Sequence, residues 1–149
     1  MVADGTDTHF KVLVVDDSES TRLLIARIIT QELPVGVTLA ANGDEAEREL
    51  KQTHFDVILL DLLMPDTSGF AVLEWLRHNA TPNQNTPVLV VSALQDEETI
   101  ERCRMLGASV HIVKPILRER LVAAVREQLD AARRQNAPGG TPPAGPGGA

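Results

Sequence analysis

The sequence predicts an α/β fold, a parallel β-sheet with helices packed on both of its faces. Five short runs rich in Val, Ile and Leu alternate with five segments of helical periodicity, and three of the runs are nearly continuous apolar stretches. Continuous apolar strands are typical of parallel sheets that are buried on both faces. Regular alternation of strand and helix implies right-handed crossovers, which place helices on both sides of the sheet.

The five predicted strands are short, and four of them are followed directly by a polar or charged residue. In chain order they cover residues 11–15, 36–40, 56–60, 87–91 and 110–113. In an open parallel sheet, ligands bind at the carboxyl ends of the strands, near the point where the strand order reverses. The residues that follow the strands are therefore the first candidates for a functional site.

The first predicted helix begins after a capping residue, for which Asp17 and Ser18 are both candidates. Its apolar residues recur at Leu24, Ile28 and Ile29. This spacing predicts that one face of the helix packs on the sheet.

The other four helices are predicted from the same kind of pattern. The second has the acidic first turn that a helix N-terminus favours, and the fourth ends at Gly107, a residue type suited to the position after a helix. The third and fifth each have one apolar face, formed by Val72, Leu73 and Leu76 and by Leu117, Leu121, Val122, Val125 and Leu129 respectively.

Composition and charge narrow the range of functions. The chain has 149 residues, of which 43% are hydrophobic and 23% charged, a balance that suits one globular domain. The net charge of −7 argues against general binding to nucleic acid or anionic membranes and favours a cation. A single cysteine, no signal-peptide pattern and no apolar run near the ~18 residues of a membrane helix predict a cytoplasmic protein.

The chain divides into three regions by composition. Residues 1–9 are mostly polar and are expected to be disordered, whereas residues 10–134 contain the alternating strands and helices. Residues 135–149 are rich in proline and glycine, have too little apolar surface to form a core, and are expected to be a flexible tail or a truncated linker.

Charged and polar residues follow four of the predicted strands. Asp16 and Asp17 follow the first, Asp61 the third, Ser92 the fourth and Lys114 the fifth. If the sheet is parallel, these side chains meet at one edge. Two like charges about 4 Å apart repel by roughly 4 kcal/mol at an effective dielectric constant near 20.

A divalent cation would relieve this repulsion. Carboxylate oxygens suit Mg²⁺, which retains several water ligands, and Mn²⁺ is an alternative ion. A carboxylate beside such a cation, a lysine and a hydroxyl has the groups needed to accept a phosphoryl group and to hold its oxygens. The strand-end residues thus indicate phosphoryl chemistry.

The motifs VVDDS, DLLMPDTSG, SAL and VKP, in this order and spacing, resemble those of the receiver domain of bacterial two-component response regulators. The resemblance covers about residues 10–130, and the single-domain chemotaxis regulators are the simplest members of the family. It implies a flavodoxin-like fold with strand order 2-1-3-4-5. It also implies phosphorylation by a sensor histidine kinase or a His-containing phosphotransfer protein.

The resemblance further assigns roles to the strand-end residues. Asp61 would be the phosphoacceptor. Asp17 would bind Mg²⁺ directly, Asp16 mostly through water, and the backbone carbonyl of Leu63 would complete the protein ligands. Lys114 would pair with Asp61 at rest and with the phosphoryl group afterwards.

Other positions either match or depart from the family pattern. Ser92 would bond a phosphoryl oxygen and draw its loop inward, and Pro115 would follow a cis peptide bond. His111 occupies the place of the usual switch aromatic, where a structural and a switching role both remain open. Leu63 and Leu94 stand where family members often have polar side chains that position water, which predicts a long-lived phosphorylated state.

Three classes of function compete. The leading interpretation is a phosphorylation switch that is not a turnover enzyme and that binds a protein target through the face of the fourth helix, fifth strand and fifth helix, as a monomer or a phosphorylation-dependent dimer. A magnesium-dependent phosphatase commonly has a second Asp two residues after its nucleophile, where this chain has Leu63. A phosphorylation-independent interaction domain would have a broken site. The chain could also be the receiver part of a longer regulator or hybrid kinase.

Overall fold

The computed structural model describes residues 10–135, in which strands and helices alternate strictly. In chain order the elements are β1 Phe10–Val15, α1 Glu19–Glu32, β2 Val35–Ala40, α2 Gly43–Gln52, β3 Val57–Leu60, α3 Gly69–His78, β4 Val88–Ser92, α4 Glu97–Met105, β5 Val110–Val113 and α5 Arg118–Gln135. The predictions for residues 1–9, and for nearly all of the tail, lie outside the described residues. Within residues 10–135, every helix is either too short or too polar to span a membrane.

The five strands form one parallel sheet in the order β2-β1-β3-β4-β5. This confirms the predicted parallel sheet and the strand order implied by the resemblance. The order reverses between β1 and β3, so the carboxyl ends of these two strands flank the expected ligand site.

Side chains alternate along the strands between two hydrophobic cores. Val12 and Val14 of β1 face α1 and α5, whereas Leu13 and Val15 face α2, α3 and α4. The strand β3 is buried along its whole length, as is β4. Helices therefore cover both faces of the sheet, as the sequence predicts.

Two leucines assigned to helix faces from spacing alone are exposed, and those predictions are wrong. Leu24 is 46% exposed, and α1 instead buries Ile25, Ile28 and Ile29. Consecutive apolar residues at the start of this helix leave the phase of its periodicity ambiguous by one residue. Leu117 is 62% exposed because α5 begins one residue later, and the rest of the predicted apolar face is buried.

The structure shows capping hydrogen bonds at the two helix ends for which the sequence predicts a particular residue. Ser18 is the N-cap of α1, and its Oγ accepts a hydrogen bond from the backbone N–H of Thr21 at 3.3 Å, so Asp17 is not the cap. Gly107 follows α4 with a φ of +92°, and the N–H of Ala108 donates to the carbonyl of Cys103 at 2.9 Å. This is the hydrogen-bond pattern of a glycine-terminated helix.

Candidate functional site

Backbone hydrogen bonds of the sheet hold the candidate residues at one edge. The N–H of Asp61 donates to the carbonyl of Val15 at 3.0 Å, and the N–H of Asp16 donates to that of Ala40 at 3.1 Å. These bonds extend the parallel ladder by one residue beyond each strand. The two acids are therefore placed by the sheet rather than by a flexible loop.

Three carboxylates meet at this edge. Ligand oxygens of Asp16, Asp17 and Asp61 all lie within 4.8 Å of one another. Asp16 and Asp61 are only 1% and 4% exposed, whereas Asp17 is open to solvent. Two buried charges and one exposed charge of the same sign make a site that favours a cation.

Lys114 bridges the two buried acids. Its Nζ lies 3.1 Å from Oδ2 of Asp16 and 3.4 Å from Oδ2 of Asp61. Burial raises the pKa of the Asp61 carboxyl; Lys114 opposes that shift and the Asp16 charge adds to it. Burial alone would lower the pKa of Lys114, but its hydrogen bond to Asp16 and the charges of both acids raise it, so the ammonium form is favoured.

The motif glycine eight residues after Asp61 has a steric reason. A Cβ on Gly69 would lie 2.2 Å from the carbonyl oxygen of Asp61 and 2.7 Å from the Cα of Leu62. The N–H of Gly69 donates to the carbonyl of Leu62 at 2.9 Å, which ties the start of α3 to the segment after β3. Only a residue without a side chain lets α3 approach the backbone of Asp61 this closely.

Leu63 contacts the acid cluster through its backbone. Its backbone N–H donates to Oδ1 of Asp61 at 3.3 Å, and its side chain is 53% exposed. Both oxygens of Asp61 thus have partners, one in Leu63 and one in Lys114.

Ser92 is the last residue of β4 and is fully buried. Its carbonyl accepts a hydrogen bond from the N–H of Lys114 at 2.9 Å, and its Oγ accepts one from the N–H of Leu94 at 3.2 Å. The peptide bond between Lys114 and Pro115 is cis, as the resemblance implied. These contacts place Ser92 beside the lysine, at the start of the loop between β4 and α4.

His111 contacts this loop rather than the acids. Its Nε2 lies 2.7 Å from the carbonyl oxygen of Leu94, so the nitrogen that faces the carbonyl must carry the proton. Its Nδ1 is buried, and within residues 10–135 it has no hydrogen-bond partner. The side chain of Leu94 packs against the core that faces α2, α3 and α4. Neither residue belongs to the acid cluster.

The donor set of the cluster fits a hard divalent cation. All its side-chain ligands are carboxylate oxygens, and two of them are buried next to each other. The exposed position of Asp17 leaves room for water ligands, which small divalent cations retain. Asp16, Asp17 and Asp61 are therefore suited to hold a metal ion together.

Sequence reasoning missed a contact between Arg22 and the backbone of this site. Arg22 is in the first turn of α1, and its Nη1 donates to the backbone carbonyl of Asp16 at 2.7 Å. An arginine early in an amphipathic helix usually projects into solvent, so nothing in the sequence pattern distinguishes it from the other arginines of the chain.

Comparison with known sequences identifies related proteins. The model of the response regulator receiver domain family matches residues 12–126. The signal transduction histidine-protein kinase BarA of Escherichia coli K12 is 34% identical over 120 residues, which are 80% of this chain and 13% of that protein. Response regulator RR06 of Streptococcus pneumoniae is 35% identical over 119 residues, 77% of this chain and 52% of that protein. The chain thus spans about half or less of the length of these relatives.

Solved structures show the same architecture. The chemotaxis protein CheY4 of Vibrio cholerae is 30% identical, with a TM-score of 0.74 over 80% of this chain and 98% of that chain. A CheY-like receiver domain protein of Methanospirillum hungatei is 22% identical, with a TM-score of 0.78 over 87% of this chain and 100% of that chain. The second likeness supports the fold alone.

Proposed function

The chain belongs to the response regulator receiver family of two-component signalling, and we propose that it is a switch phosphorylated on Asp61. The observation that supports this most strongly is the buried carboxylate of Asp61, which lies in a cluster of three acids with its Oδ2 3.4 Å from the Nζ of Lys114. The donor would be a phosphohistidine on a sensor histidine kinase or a His-containing phosphotransfer protein.

The metal of the site is proposed to be Mg²⁺, with Mn²⁺ as a substitute. Asp17 and Asp61 would bind it directly, Asp16 mostly through water, and the carbonyl of Leu63 would add a backbone ligand. When bound, the ion would offset the repulsion among the acids and the charge of the incoming phosphoryl group.

The proposed step is a nucleophilic displacement. A carboxylate oxygen of Asp61 forms a bond to phosphorus while the P–N bond to the donor imidazole breaks, and the imidazole leaves with the bonding electrons. Lys114 then exchanges its contact with Asp61 for one with a phosphoryl oxygen, and the hydroxyl of Ser92 bonds another. The protein catalyses only its own modification and its slow reversal.

The signal would leave the site through the loop between β4 and α4. This loop is held at Ser92 by the bond from Leu94 N–H, and its Leu94 carbonyl is held by His111 on β5. Movement of the Ser92 hydroxyl towards a phosphoryl group would strain both bonds. A rearrangement of this loop would alter the face formed by α4, β5 and α5, where a protein target would bind.

The part of the protein that responds to phosphorylation would, in a second arrangement, be another domain of the same chain. Response regulator RR06 and the kinase BarA are both longer than the region they share with this chain. The proposal therefore includes a receiver that works within a longer regulator or a hybrid kinase. The chemistry at Asp61 would be the same in either arrangement.

Acetyl phosphate, a small acyl phosphate, tests the proposal without a known kinase. Intact-mass measurement of the chain with acetyl phosphate and Mg²⁺ should show one phosphoryl addition. The addition should be absent in Asp61→Asn and after chelation with EDTA, but present in Asp66→Asn, which changes an exposed acid of the same loop. No addition to the parent, or an unchanged addition to Asp61→Asn, would contradict the proposal.

A further inference from the structure

Arg22 connects the first turn of α1 to the backbone of the acid cluster. Its side chain is partly buried, and its Nη1 donates to the carbonyl oxygen of Asp16 at 2.7 Å. That oxygen belongs to the peptide group that joins Asp16 to Asp17. The arginine therefore contacts the backbone between two of the three clustered acids.

The bond to Arg22 completes the fixation of Asp16. The N–H of Asp16 already donates to the carbonyl of Ala40 at 3.1 Å, and its Oδ1 accepts a hydrogen bond from the N–H of Ser18 at 2.9 Å. The backbone carbonyl of Asp16 accepts the hydrogen bond from Arg22. The backbone N–H, the side chain and the carbonyl of this residue thus each have a defined partner.

Fixing that carbonyl also orients the next residue. A peptide group is planar, so the carbonyl oxygen of Asp16 and the N and Cα atoms of Asp17 lie in one plane. A bond that holds the oxygen therefore restricts the direction in which the exposed Asp17 leaves the strand. An exposed carboxylate without such restraint would have to be ordered when a cation binds, at a cost in conformational entropy.

We propose that Arg22 is a positioning residue for the cation site, which holds the Asp16–Asp17 peptide so that Asp17 shares a cation with Asp16 and Asp61. This inference rests on the proposed function, because it concerns the same metal site. Arg22 would not touch the ion or the phosphoryl group.

Charge and positioning predict opposite effects for this residue. A guanidinium near a cation site repels the cation, so if Arg22 acted only through its charge, removing it would tighten Mg²⁺ binding. If Arg22 acts by positioning Asp17, removing it weakens binding despite the lost repulsion. A residue that merely anchored the helix would change the melting temperature and leave the affinity of the folded protein unchanged.

Calorimetric titration of the full chain with MgCl₂, together with thermal melts in EDTA, separates these cases. Arg22→Met keeps most of the aliphatic stem and loses the donor, and we expect it to bind Mg²⁺ about tenfold more weakly, as is typical for loss of an outer-shell partner. Arg27→Met is the matched control, because it removes an exposed arginine from the same helix and should bind like the parent.

Arg22→Lys provides a second test that is less disturbing to the fold. The lysine ammonium keeps the positive charge, but its side chain is one bond too short to place a donor where Nη1 lies. The affinity of this variant for Mg²⁺ should therefore also fall below that of the parent. Parental or tighter binding by Arg22→Met, or parental binding by Arg22→Lys if Arg22→Met does not fold, would overturn the inference. Failure of the parent itself to bind Mg²⁺ would instead overturn the proposed function on which it rests.

Discussion

Two buried polar clusters lie at opposite ends of the sheet, and they differ in how fully their polar groups are paired. At the amino end, the amide of Asn83 accepts a hydrogen bond from the N–H of Phe55 at 2.7 Å. It also donates to the carbonyls of Leu50 and Thr53 at 2.8 and 2.6 Å. The hydroxyl of Thr86 joins this network through the Phe55 carbonyl at 3.1 Å. These groups are neutral and mutually satisfied.

At the carboxyl end, the buried groups are charged and crowded. Asp16 and Asp61 share Lys114, and Asp17 lies within the same 4.8 Å cluster. Paired neutral groups stabilise a fold, whereas like charges held together cost stability unless a ligand relieves them. We infer that the amino end of this sheet contributes to folding, whereas the carboxyl end is the place of the proposed phosphorylation.

The largest effect should come from Gly69, the first residue of α3, which packs against the backbone of Asp61. In Gly69→Ala, the new Cβ would lie 2.2 Å from the carbonyl oxygen of Asp61, so α3 or the Asp61 backbone must move. We expect a loss of roughly 3 kcal/mol in the free energy of unfolding, at the upper end for overpacking, together with slower phosphorylation. Urea unfolding and phosphorylation by acetyl phosphate measure the two effects.

Gly36→Ala is the control for this substitution, because a Cβ there would have no neighbour within 4 Å. It should leave both properties close to those of the parent. A parental stability for Gly69→Ala would mean that the contact with Asp61 is not what requires a glycine.

The amino-end cluster should affect stability alone. Asn83→Ala leaves the N–H of Phe55 and two carbonyls without their partner, and we expect it to lower the free energy of unfolding by about 2–3 kcal/mol. The folded fraction should still be phosphorylated at the parental rate. Asn85→Ala, an exposed change in the same loop, should be neutral in urea unfolding. A large fall in the phosphorylation rate of folded Asn83→Ala would contradict the view that the amino-end cluster affects only stability.

Substitution in the carboxyl-end cluster should reduce metal binding and phosphorylation without reducing stability. Asp17→Ala removes one of three mutually repelling carboxylates, so its melting temperature without metal should hold or rise. Its affinity for Mg²⁺ and its phosphorylation rate should fall, whereas Asp66→Ala, which removes a nearby exposed acid, should change neither. A clear drop in the melting temperature of Asp17→Ala in EDTA would show that this acid is structural.

The smallest effect concerns the lifetime of the phosphorylated state. We expect Leu63→Asn to speed its decay a few-fold, because an amide can hold a water that leucine cannot. Leu94→Glu should act in the same direction, but its side chain packs partly against the core, so its stability must be measured alongside. If neither variant, nor the double variant, decays faster than the parent, the leucines do not set the lifetime.

The carboxyl-end cluster was predictable from sequence because its members stand at the carboxyl ends of the strands β1, β3 and β5. In a parallel sheet with the strand order that the resemblance implies, these strand ends share one edge, so Asp16, Asp61 and Lys114 were expected to lie close together. The phase of α1 was not predictable, because three apolar residues in succession at Leu23, Leu24 and Ile25 fit more than one helical face.

The amino-end cluster and Arg22 lacked any such signal. Asn83 lies in the segment TPNQNTP, whose composition indicates only a loop, and its three partners come from residues about 30 positions earlier in the chain. Arg22 acts on a backbone carbonyl, a partner that every residue offers, so its contact leaves no trace in the sequence. Neither set of contacts follows from the sequence pattern alone.

The identity of the phosphorylated residue is the most direct test of the proposed switch. After phosphorylation with acetyl phosphate and Mg²⁺, borohydride reduces an aspartyl phosphate to homoserine, and peptide mass spectrometry then locates the changed residue. We expect homoserine at position 61 alone, with Asp16, Asp17 and Asp66 unmodified. Homoserine at any of those three positions instead of Asp61, or at none, would contradict the assignment of Asp61 as the phosphoacceptor.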